Sequence, residues 1–123
     1  MIKLSYFIHR LPSLSPEAFH GHWRNEHAAL IARHAETFGI RRYVQVHATS
    51  HPGNAPTEAF PHPYDGIAEL WFGGEENLEM WFRNSTPEAL AAGKEIRTDE
   101  RRFIDRAASP FVIGEEVPII PGG

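Results

Sequence analysis

Cysteine is absent from the 123 residues. That excludes a disulfide framework, a thiolate zinc site and any cysteine nucleophile. Excess positive charge is absent too: 12 Lys and Arg stand scattered against 16 Asp and Glu, a formal net charge of −4. A nucleic-acid partner asks for a basic stripe, so none is expected. No stretch approaches the ~18 apolar residues of a membrane span, so no membrane partner is expected. The opening MIKLSYFIHR is too short and polar for a signal peptide, and a cytoplasmic setting follows as the expectation. What is plentiful is histidine, with 8, and proline, with 10, in a chain that is 41% hydrophobic. Chains of this length bury most of the surface they expose when unfolded, so one domain over 1–123 with its own core is expected.

The stretch that organises the chain runs from Ser15 to Phe38. Ser15 is placed as an N-cap, Pro16 at the first helical position and Glu17 in the first turn, while Gly39 supplies a left-handed stop. At 100° per residue, Phe19, Trp23, Leu30, Ile31 and Phe38 share an arc about 120° wide. His20, His27 and His34 fall inside that arc; His22, Glu26 and Arg33 fall outside it. His27 sits near the middle, one turn after Trp23. An imidazole on an apolar face either finds a buried partner or looks into a cavity.

Around this helix the pattern reads β-α-β-β-α-β. Residues Ile2 to His9 alternate, with Ile2, Leu4, Tyr6 and Ile8 on one side. Ile40 to Ala48 alternates again, with Tyr43, Gln45 and His47 on the polar side. Ile67 to Phe72 is the third strand, in which Ile67, Glu69 and Trp71 share a face. A short helix over Glu75 to Arg83 follows, then a longer one opened by Thr86-Pro87-Glu88 and running to about Asp105. Pro110 to Ile120 is the last strand, interrupted near Gly114 and Pro118, with 117–123 as a C-terminal arm. The Pro-rich segment 51–64 is a long loop, of the kind that forms lids or interface arms. The fold class is therefore α+β, a four-stranded antiparallel sheet with helices on one face. Bulky apolar residues on both sides of the strands imply that the bare face meets a second copy in a homodimer.

Four blocks in order, HWRNEH (His22 to His27), GIRRYVQVH, YDGIAELWF and DERRFID, resemble the EthD family of the dimeric α/β-barrel superfamily. The resemblance spans Ile2 to about Val117. It implies a ferredoxin-like protomer, a barrel formed by two sheets across a dimer, and a pocket between sheet and helices. Members of that superfamily with known chemistry mostly need no organic cofactor: muconolactone-type isomerases, polyketide cyclases and dehydratases, and quinone-forming monooxygenases. Others bind haem, and the EthD branch takes its name from alkyl-ether degradation gene clusters. The Ser50 to Tyr64 loop departs from the family by its extra prolines and by His51 and His62.

His27 is the leading acid/base candidate, because imidazole titrates near neutrality and Trp23 beside it would desolvate it. The resemblance points to the same residue, the His of W-x-x-x-H. The alternative is a structural histidine tied to a strand carbonyl. Candidates for its orienting partner are Asp65, Glu69 and Tyr43 from the sheet and Asp99 and Glu100 from the last helix, Asp99 supported by the family's DE-x-x-F pattern. Each has a plain reading: Glu69 paired with Arg41 or Arg42, Tyr43 at the dimer interface, and Asp99-Glu100 as a solvated charged stretch. Asp65 is assigned to its own turn amides. Trp23, Tyr6, His47, Trp71 and Phe103 are the expected substrate-binding walls. No metal is expected: His20, His27 and His34 are about 10 Å apart along the axis, and His22 and His27, five apart, point different ways. Two functions stay open. One is a cofactor-free enzyme for an aromatic or polyketide-like molecule, working by proton transfer (dehydratase, cyclase or isomerase) or by cofactor-free oxidation. The other is a binding or accessory protein for a monooxygenase system.

Overall fold

The computed structural model describes residues 1–122. Its elements are β1 (Ile2–Ile8), α1 (Pro16–His22), a π-helical turn (Trp23–His27), α2 (Ala28–Phe38), β2 (Ile40–His47), β3 (Gly66–Phe72), α3 (Glu75–Arg83), α4 (Pro87–Glu100) and β4 (Phe111–Gly114). The sheet order is β2-β3-β1-β4, antiparallel throughout. This is the expected ferredoxin-like α+β arrangement.

Local chemistry sets the boundaries. The Ser15 and Thr86 hydroxyls accept the Ala18 and Ala89 amides, and a proline follows each cap. Gly39 ends α2 at φ +63°, a left-handed conformation that favours glycine. The last helix is shorter than its sequence implies, ending at Glu100. The chain then folds back so that the Leu11 amide donates to the Phe103 carbonyl and the Asp105 amide to the His9 carbonyl. Those bonds pin the end of α4 against β1. β4 is also shorter, stopping at Gly114 rather than running to Ile120. It is an edge strand, and Pro118 has no N–H to extend a ladder. The arm beyond it leaves Val117, Ile119 and Ile120 exposed. The 51–64 loop is almost wholly exposed, and His51 there caps a short 3-10 turn by accepting the Gly53 amide.

The core lies between the sheet and α1, α2 and α4. Leu4, Ile8, Leu70 and Phe72 meet Phe19, Trp23, Ile31, Phe38, Ile96 and Phe103 there. Burying each such side chain is worth about 1.5–3 kcal/mol, and together they fix the helices on this face. Gly66 is required where β3 passes under α1: a Cβ there would stand 2.4 Å from the Trp23 ring. β2 faces the opposite way from what hydropathy alone suggests. Its polar residues Tyr43, Gln45 and His47 pair in register with Leu70, Ala68 and Gly66 on the covered side, while Val44 and Val46 lie with Glu69 and Ile67 on the bare side.

Candidate active site

The π turn builds the site. The Ala28 amide reaches back five residues to the Trp23 carbonyl, so one turn of the helix holds an extra residue. That extra residue changes the phase of the helix. His22 and His27, which point apart at 100° per residue, converge here on one carboxylate. His27 Nδ1 lies 2.8 Å from Asp99 Oδ2, and His22 Nε2 lies 3.0 Å from Asp99 Oδ1. His22 Nδ1 in turn stands 3.2 Å from Glu26 Oε2 at the surface. The side chains of His27 and Asp99 are only 5% and 10% exposed. Phe103, fully buried, packs its ring 4.9 Å from both imidazoles. A buried carboxylate with a histidine on each oxygen is fully engaged, which is how a charge is tolerated at this depth.

His27 lines a cavity of about 480 Å³ between the sheet and the helices. Its walls are mostly apolar, among them Leu4, Ile8, Ile31, Leu70, Trp81 and Ile96, with Tyr6, Tyr43, Trp23, Glu100, Arg97 and Arg106 as the polar members. Burial pushes the His27 imidazole below its ordinary pKa of 6.5, against the opposing pull of the Asp99 hydrogen bond and charge. The ring is therefore neutral near pH 7. With Nδ1–H donating to Asp99, Nε2 keeps a free lone pair, and it makes no hydrogen bond to any described residue. Burial also holds the phenols of Tyr6 and Tyr43 protonated, both pushed up to about 12.

Glu100, weighed from the sequence as a partner for His27 or as part of a solvated charged stretch, takes neither place. It faces the cavity, and burial raises its carboxyl to about 7 despite Arg106 and Arg97. The signal lies in α4, where Gly93, Ile96 and Glu100 recur at helical spacing on one stripe, all three lining the cavity.

The other sequence candidates divide between the two faces of the sheet. Tyr6, Tyr43 and Trp23 line the cavity, and Asp99 is brought to His27. Glu69 is not. It points to the bare face, where Lys3 Nζ pairs with it at 2.6 Å in place of either arginine. Trp71 shares that face, between Lys3 and Arg42 at 4.6 and 4.8 Å from its ring, and so is no wall of the cavity. Strand alternation separates both from Leu70 and the helices. His47 is displaced as well. It lies 4.3 Å from the Trp23 ring, its Nδ1 2.7 Å from His20 Nδ1 and its Nε2 2.7 Å from Gln45 Oε1. It buttresses the indole from outside the cavity. Phe103 packs behind His27 rather than lining the cavity. Asp65 accepts the backbone amide and guanidinium of Arg10 at 2.8 and 2.9 Å, so it ties β3 to the β1–α1 link instead of capping its own turn.

Donor atoms of His22, Glu26 and Asp99 gather within 4.8 Å of one another, the spacing a metal ion needs. The His22 ring, however, turns one nitrogen to each carboxylate, and those nitrogens lie on opposite sides of the imidazole. One ion cannot replace both hydrogen bonds without moving Glu26, so the group is arranged as a hydrogen-bonded chain.

The EthD domain family model matches residues 11–107. The chain belongs to the EthD domain family. Among solved structures, it is similar to an ethyl tert-butyl ether (EthD) family protein from Bacillus halodurans, at 25% identity over 95% of this chain and 99% of that one, with a TM-score of 0.63. An EthD-like protein from Ralstonia eutropha superposes with a TM-score of 0.61 at 15% identity, covering 97% and 92% of the two chains. A dimeric ferredoxin-like protein of unknown function from Bacteroides fragilis gives 0.58 at 15% identity over 94% and 95%. Curated proteins give no match. Among the described residues, no helix is long and apolar enough to cross a membrane.

Proposed function

We propose that this EthD protein is a small-molecule enzyme that works by proton transfer without an organic cofactor, on an aromatic or polyketide-like compound held in the cavity. The observation that carries this reading is the buried His27–Asp99 pair, whose imidazole opens on an apolar cavity. Asp99 holds Nδ1–H in place and stabilises the imidazolium formed when Nε2 accepts a proton. The cavity's volume of about 480 Å³ suits a small organic molecule. Charge developing beside His27 meets mostly apolar walls, which screen it little. Dehydration, cyclisation or isomerisation beside a carbonyl all use this proton step. Cofactor-free oxidation of a phenol would begin with the same deprotonation.

The working form is a homodimer through the bare face of the sheet. Val46 and Val112 stand exposed there, and a similar protein of this fold is dimeric. The second reading is a binding or accessory protein for a monooxygenase system, and the apolar walls are as fit for holding a ligand as for converting one.

The two readings part on one experiment. Wild type and His27→Gln are incubated with a panel of aromatic ketones, lactones and phenols, with products followed by mass spectrometry and binding by NMR. An enzyme converts at least one compound, and His27→Gln binds it while losing at least about 100-fold in turnover. A binder converts none, and its affinity falls chiefly with Trp23→Ala or Trp81→Ala.

A further inference from the structure

The Glu100 carboxyl faces the cavity with one long ion pair and no hydrogen bond to a described residue. It lines the cavity beside Gly93, Ile96 and Tyr6. Its side chain is 12% exposed, and its nearest cation, Arg106 Nε, stands 4.0 Å away, beyond hydrogen-bond reach. No described residue donates to it or accepts from it within hydrogen-bond distance. Buried carboxyls are ordinarily paired or bonded, so the unmet capacity here is directed at whatever fills the cavity. The other charged groups around it are committed or peripheral. Arg97 Nη1 donates to Asn84 Oδ1 at 2.6 Å, Asp99 serves His22 and His27, and Arg101 is exposed.

We propose that Glu100 is a second catalytic residue, the proton donor to a ligand oxygen, and that with His27 it selects an enolisable ketone, uncharged at the reacting carbonyl. This rests on the acid/base reading of His27. In the step, His27 Nε2 takes a proton from the carbon next to the carbonyl. The C–H electron pair becomes a C=C bond, the carbonyl π pair moves to oxygen, and that oxygen takes the Glu100 proton. The products are an enol, an imidazolium and a carboxylate; the reverse step restores the ketone and both side chains. No oxidant or reductant is needed. The environment prepares both partners: burial lowers His27 and raises Glu100 to about 7, so near neutrality His27 Nε2 is unprotonated while a large share of the carboxyl retains its proton. That inverts the order the two groups show in water.

The test uses 2-tetralone, a neutral enolisable ketone, in D2O, with loss of its α-proton signal followed by NMR. Wild type is expected to accelerate exchange over buffer. Glu100→Gln still donates a hydrogen bond but supplies no proton, so it should keep ketone binding within a few-fold and slow exchange about 100-fold. The wild-type rate should fall above about pH 7, and Glu100→Gln should lose that limb. A Glu100→Gln protein that exchanges at the wild-type rate, with the alkaline limb intact, overturns the role of Glu100 alone. Wild-type exchange no faster than buffer, or unaffected by His27→Gln, overturns the His27 reading with it. Absence of 2-tetralone-induced shifts in cavity resonances at millimolar ketone overturns the ligand class. Glu100→Asp, which keeps the acid on a shorter arm, guards against a folding defect and should recover part of the rate.

Discussion

The two faces of the sheet use the same residue types to opposite ends. On the covered face the polar groups go inward: Tyr6, Tyr43, His27 and Glu100 line a cavity, and a hydrogen-bonded set of Gln45, His47 and His20 backs Trp23. On the bare face the apolar groups go outward: Val46 is 44% exposed and Val112 59%, interleaved with the Lys3–Glu69 pair and the cations over Trp71. Burial therefore acts on protons on one side and on association on the other. A carboxylate on the bare face meets an ammonium at 2.6 Å. The one at Glu100 has no such close partner, and burial raises its proton affinity against the pull of Arg106 and Arg97.

The sharpest way to break this comparison is to remove the Asp99 carboxylate. Asp99→Asn should cost at least about 100-fold in turnover of any substrate found, since it removes the charge and leaves one acceptor oxygen for two histidines, with an NH2 donor that favours the wrong tautomer of the other. Affinity for the same compound should change only a few-fold, as NMR titration would show. Glu69→Gln in parallel should leave turnover intact; a loss comparable to that of Asp99→Asn would mean that the bare face belongs to the site.

Next in size is association. Light scattering of the wild type at micromolar concentration should give twice the 13.9 kDa chain mass, and Val46→Asp with Trp71→Ala should give one chain. A 13.9 kDa wild type would remove the dimer and leave the bare face in need of another explanation.

Stability against pH separates the faces further. The raised pKa of Glu100 makes its contribution most favourable below its ordinary 4.5, and that contribution is lost as pH rises through about 7. Glu100→Gln should thus be more stable than wild type at pH 8, by up to about 3 kcal/mol, and show little gain at pH 4. The depressed His27 value works the other way. Its contribution is present above 6.5 and lost as pH falls through the folded-state value. Denaturant melts at several pH values read both slopes. The smallest expected effect is Glu69→Gln on stability, about 1 kcal/mol or less.

The element order was legible because hydrophobic alternation and two Ser/Thr-Pro-Glu helix starts mark it directly. Gly39 announced the end of α2 for the same reason. The EthD family was legible from HWRNEH and DERRFID, and these blocks hold the two partners His27 and Asp99. What sequence periodicity could not show is the π turn. A fixed 100° per residue sends His22 away from His27, and only one added residue per turn brings them together on Asp99. Nor could alternation choose which face of β2 or β3 meets the helices. That choice was made by register and by Gly66, which admits the Trp23 ring. It sent Glu69 and Trp71 to the bare face and Tyr43 inward. That Glu100 faces the cavity was hidden because α4 buries small residues, Ala89, Ala92 and Gly93, which make a weak apolar stripe.

The central claim is that His27 is a neutral base held by Asp99 and open to the cavity. Nitrogen NMR of the ring across a pH titration tests it most directly. The expected result is an Nδ1–H tautomer that titrates below 6.5 and loses that tautomer preference in Asp99→Asn. An Nε2–H tautomer, or titration above 6.5, would contradict it.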